Sequence, residues 1–79
     1  ETILIVEDER ELLDIASNFF REIGYRVLTA SDAREALTLF EENSDKIPIV
    51  ITDLIMPNVS GLELARAVKK KKPETKIIL

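Results

Sequence analysis

The sequence predicts an α/β domain: an open, doubly wound parallel sheet with helices on both faces. Short, continuous apolar runs rich in Ile, Val and Leu recur along the chain, as in strands covered on both sides. Each run is followed by a stretch whose apolar residues switch to helical spacing. The crossovers between runs are long enough to hold a helix, which makes successive strands parallel and their connections right-handed.

Thr2 to Val6, "TILIV", reads as β1. From Glu9 the period becomes helical, with Leu12, Ala16, Phe19 and Ile23 predicted as the apolar face of α1. Acids occupy its first turn and Gly24 stands where a C-terminal cap is needed. "YRVLTA", Tyr25 to Ala30, alternates as β2. Ser31 or Asp32 then serves as N-cap of α2, and Glu35, three places after Asp32, completes a capping box. Ala33, Ala36, Leu37 and Phe40 form the apolar face of α2.

Asn43 to Lys46 is a polar loop, and Pro48 to Thr52, "PIVIT", is β3, with proline tolerated at its start. After the loop "DLIMPNVSG", α3 runs from Gly61 to Lys71 with Leu62, Ala65 and Val68 predicted inward, and Pro73 stops it. Lys69 to Lys72 read as a solvated last turn that complements the helix dipole. "KIIL" begins β4.

Composition narrows the chemistry. A chain of 79 residues makes one small domain, burying only about 60 to 65% of the surface its unfolded form exposes. With 46% hydrophobic and 33% charged residues it is built to fold. Its net charge of −4 gives no basic field, so this segment is not predicted to bind nucleic acid directly. It has no Cys and no His, which leaves carboxylates to carry any chemistry. No apolar stretch approaches a membrane span, and a cytoplasmic setting is the default expectation.

The carboxylates that matter stand in "ILIVEDE" and "IVITDLIMP". Each is a buried-type strand that ends in acid: Glu7 and Asp8 after β1, Asp53 after β3. Ligands of open parallel sheets sit outside the carboxyl ends of the strands, where strand order reverses. If β1 and β3 are neighbours, three carboxylates meet there and require a cation. Mg²⁺ suits an all-oxygen site of this kind, and Asp53 can then act as ligand, as nucleophile, or as both. Taken alone, Asp8 reads equally well as a cap of α1.

These residues, "ILIVEDE" followed by "ITDLIMPNVSGLEL", closely resemble the receiver domain of bacterial response regulators in two-component signalling. The resemblance covers the whole chain, and receivers are themselves among the standard examples of the strand-order rule used above. It implies a flavodoxin-like, three-layer αβα fold with strand order 2-1-3-4 for the strands present. It implies that Asp53 accepts a phosphoryl group from a histidine kinase, that Asp8 binds Mg²⁺ directly, and that Glu7 acts through metal-bound water. Ile55 matches the position whose backbone carbonyl is a metal ligand. Met56, Pro57 and Gly61 match the residues that shape the phosphoacceptor loop.

A complete receiver has five strands and five helices, and holds phosphate with a Ser or Thr after β4 and a Lys after β5. Both positions lie beyond Leu79, and Lys69 to Lys72 and Lys76 do not match that lysine. Residues 1–79 are therefore expected to be the N-terminal part of a single receiver domain, incomplete and lacking β5. The expected activity is that of a phosphoacceptor and not an enzyme, with self-association through a bare β4 edge or by exchange of elements. Two other readings are a truncated interaction or assembly piece that is never phosphorylated, and a Mg²⁺-dependent aspartyl-phosphate phosphatase. The phosphatases resemble D-x-D-x-T, and Ile55 stands where their second acid would be.

Overall fold

The four apolar runs become the strands of one parallel sheet: β1 (Thr2–Val6), β2 (Arg26–Ala30), β3 (Ile49–Thr52) and β4 (Lys76–Ile78), in the order β2-β1-β3-β4. This is a computed structural model, and it describes residues 1–52 and 61–78. Helices α1 (Arg10–Glu22), α2 (Ala33–Asn43) and α3 (Gly61–Lys71) complete the three layers. The strand order and layering are those of the flavodoxin-like sheet.

Strand alternation divides the core in two. Leu4, Val6 and Val50 turn to one face, where they bury against Ala36 and Phe40 of α2 and Leu64 and Val68 of α3. Ile3 and Ile5 turn to the other, against Leu13, Ala16 and Phe20 of α1. Central β1 is covered on both sides, with Ile3, Leu4, Ile5 and Val6 all buried. Among the described residues β4 is an edge of the sheet, and its Ile78 is half exposed.

Two helices present a different face from the one their spacing predicts. In α1 the inward residues are Leu13, Ala16, Ser17 and Phe20, while Leu12, Phe19 and Ile23 are exposed. The helix carries apolar residues on two stripes, and the sheet beneath it selects one. In α3, Gly61, Leu64 and Val68 are buried and Leu62 is half exposed. Spacings of 62/65/68 and 61/64/68 both fit one helical face, and contact with α2 decides between them.

The predicted punctuation is present, with shifted details. Gly24 adopts φ +104°, and its N–H donates to Arg21 O at 3.1 Å while the N–H of Tyr25 donates to Phe20 O at 3.0 Å. This is a Schellman closure, sealed by an edge-on contact of the Phe20 and Tyr25 rings at 6.0 Å. Tyr25 is consumed by the closure, so β2 begins one residue later than its alternation predicts. Proline 48 likewise stays outside β3, which starts at Ile49. The predicted polar loop is a helix end plus a 3₁₀ turn, Ser44–Lys46. Lys72 is not simply solvated: its Nζ donates to Ser44 O at 2.9 Å, tying the segment after α3 to that turn.

Candidate functional site

The site is built on the carboxyl end of the sheet. Val6 is the Cα partner of Ala30 on one side and of Thr52 on the other. Three strands therefore end at one level, and β1, at the centre, runs on into Glu7 and Asp8. The same register ends β3 at buried Thr52, the residue before Asp53 in sequence. Asp53 itself lies outside the described residues, as do Ile55, Met56 and Pro57.

Glu7 is held by its backbone and by its side chain. Its N–H donates to Ala30 O at 3.1 Å, extending the β1·β2 ladder one step beyond Val6. Its Oε2 accepts the N–H of Glu9 at 3.1 Å, which turns the carboxylate back over the acid turn and leaves it half-buried. Asp8 is exposed, and its side chain has no hydrogen bond or ion pair among the described residues. It is not the cap of α1: the N-cap is Glu9, with no side-chain capping bond. The capping explanation of Asp8 is therefore removed, and its carboxylate is left available to a ligand.

The donor set fits a hard cation. Glu7 and Asp8 offer carboxylate oxygens, with no imidazole or thiolate in the chain to favour a softer metal. Among the described residues no three acids cluster as a metal site, and the third predicted acid is Asp53. Gly61 is buried as the first residue of α3, where the helix begins after the loop it was predicted to shape.

A cavity of about 140 Å³ lies beside the acid turn, lined by Arg10, Leu13, Asp14, Thr29, Ser31 and Glu35. Arg10 pairs with Asp14 at 3.7 Å, an exposed contact within one helical turn. A larger cavity, of about 410 Å³, opens at the opposite end of the sheet near Thr2, Pro48, Lys72 and Thr75. Size alone therefore points to the end of the sheet away from the acids. Thr75 Oγ1 in its wall is buried with no hydrogen-bond partner among the described residues.

Residues 3–79 match the family model described as the response regulator receiver domain. Over 70 residues the chain is 36% identical to the response regulator SaeR of Staphylococcus aureus, covering 89% of this chain and 29% of SaeR. The chain thus spans under a third of the curated relatives it matches. Among solved structures it is similar to the response regulator TrrA of Thermotoga maritima in complex with Mg²⁺-BeF, with TM-score 0.92 and 40% identity, covering 100% of this chain and 67% of that one. It is also similar to a chain of the complex between the histidine kinase ThkA and TrrA, with TM-score 0.87 and 39% identity, covering 98% and 65%.

Proposed function

The chain belongs to the response regulator receiver family, and on that premise we propose that it is a phosphoacceptor module whose Asp53 receives a phosphoryl group from a histidine kinase. The observation that carries this reading is the shared register of Val6 with Thr52, which ends the Glu7–Asp8 strand and the strand leading to Asp53 side by side. Similarity to a regulator solved with Mg²⁺-BeF and to one solved with its kinase supports both the metal and the partner.

In the proposed transfer a carboxylate oxygen of Asp53 attacks phosphorus. The P–N bond to the kinase histidine breaks, its electron pair stays on the imidazole, and an acyl phosphate forms. Bound Mg²⁺ supplies neutralising charge on the transferring oxygens. Glu7, Asp8, Asp53 and the carbonyl of Ile55 would hold it, Glu7 through metal-bound water. Glu7 is oriented in advance through its side chain by the Glu9 amide and through its backbone N–H by Ala30 O. Receiver domains are signalling modules, and here the product is a changed surface for partners.

Intact mass before and after incubation with Mg²⁺ and acetyl phosphate tests the reading. A single phosphoryl adduct, lost in Asp53→Asn, is the expected result. An unmodified chain that still binds Mg²⁺ would instead indicate an interaction piece without phosphoacceptor activity.

A further inference from the structure

One planar peptide unit, Ala30–Ser31, is gripped at both ends. Its carbonyl, Ala30 O, accepts the N–H of Glu7 at 3.1 Å. Its N–H, on Ser31, donates to Glu35 Oε1 at 2.9 Å. The Ser31 hydroxyl donates to the same oxygen at 3.1 Å, and the N–H of Glu35 donates to Asp32 Oδ1 at 2.8 Å. The Glu35 carboxylate therefore reaches the backbone of Glu7 through a single rigid peptide.

We propose that Glu35 is a positioning residue for the acid turn: by holding the N–H end of the Ala30–Ser31 peptide it aims the carbonyl that places Glu7, and with it Asp8, toward a divalent cation. The cation half of this inference rests on the function proposed above.

A peptide plane cannot swing one end without the other, because rotation about its C–N bond is blocked. A bond to an ionised acceptor is the stronger kind, and hydrogen bonds in a chain polarise one another. Glu35 thus does more than cap α2. In an ordinary capping box the return arm reaches the N-cap residue's own N–H, here that of Asp32. Glu35 instead reaches one residue further back, to Ser31, and so to the peptide that closes the β1·β2 ladder. Ser31 and Glu35 also line the 140 Å³ cavity beside the turn.

The test compares Glu35→Ala, Glu35→Gln and Asp32→Ala in the 79-residue chain. Two readouts are followed by NMR: hydrogen exchange of the Glu7 amide, and the shifts of the Glu7 and Asp8 amides on titration with Mg²⁺ alone. Asp32→Ala weakens the same helix cap while leaving the Glu35 to Ser31 bonds in place, so it isolates helix stability. Glu35→Gln keeps an acceptor oxygen but loses the charge, and is expected to fall between the parent and Glu35→Ala in both readouts. Glu35→Ala is expected to speed Glu7 exchange about tenfold or more and to weaken Mg²⁺ binding about tenfold, at the low end of outer-shell effects on metal sites. Equal changes in Glu35→Ala and Asp32→Ala, or none in Glu35→Ala, would overturn the positioning role. If the unsubstituted chain does not bind Mg²⁺ while Glu7 exchange still responds to Glu35→Ala, the metal site is overturned and the backbone relay stands.

Discussion

Val6 and Thr52 are Cα partners in the parallel ladder between β1 and β3, so the strand that carries Glu7 and Asp8 and the strand whose sequence continues into Asp53 end together. Buried strands supply the rigidity, and Glu7, Asp8 and Asp53 follow them directly in sequence.

Asp8 combines exposure with the lack of any partner among the described residues, which separates its proposed role in binding from any role in folding. Asp8→Asn is expected to lower Mg²⁺ affinity at least tenfold in a calorimetric titration. Its unfolding free energy should stay within about 0.5 kcal/mol of the parent, as for surface substitutions without structural partners. A large loss of stability would show that Asp8 is structural after all.

Two phenylalanines on helices should behave oppositely. Phe40 is 0% exposed at the centre of the α2 side of the core, whereas Phe19 is 58% exposed on the outer stripe of α1. Urea unfolding of Phe40→Ala should show a loss of about 3 to 5 kcal/mol, which a chain this small hardly survives. Phe19→Ala should cost under about 1 kcal/mol, because little of its surface is removed from water by the fold. Comparable losses at the two positions would mean that the outer stripe is covered in solution.

Gly24 offers a purely conformational test. A Cβ added there meets nothing within 4 Å, so any penalty comes from its φ of +104°. Gly24→Ala is expected to cost about 1 to 2 kcal/mol in thermal or chemical unfolding. Gly24→Asn should recover part of this loss, since Asn tolerates the left-handed region better than Ala. No loss in Gly24→Ala would show that the Schellman closure can relax.

Among the described residues β4 pairs with β3 alone, and its Ile78 is half exposed. Self-association through it is expected, seen as a sedimentation coefficient that rises with concentration. Ile78→Lys should shift the chain toward monomer, because a charge on an edge strand opposes strand addition. A monomer at all concentrations before substitution would remove this interface.

Much of the molecule is legible in its residues alone. The apolar runs mark the four strands of the described residues, Gly61 and Pro73 bracket α3, the Asp32 and Glu35 pair announces the start of α2, and Gly24 announces the end of α1. These are local signals: each depends on the dihedral or hydrogen-bonding limits of a few adjacent residues. The acids after β1 and β3 are equally visible as sequence, and the resemblance they carry led to the family.

What periodicity cannot supply is phase. The spacing of Leu12, Phe19 and Ile23 is helical, yet the sheet takes Leu13 and Phe20 instead, because both stripes satisfy the same period and only packing ranks them. Leu62 and Leu64 in α3 were separated in the same way. Tertiary structure alone also brought Glu35, 28 residues after Glu7 in the chain, onto the peptide that holds the Glu7 amide. The sequence determined which elements form and which groups they carry, through short-range sterics and hydrogen bonding. The pairing of β1 with both β2 and β3 decided which of those groups meet, since that depends on contacts between segments far apart along the chain.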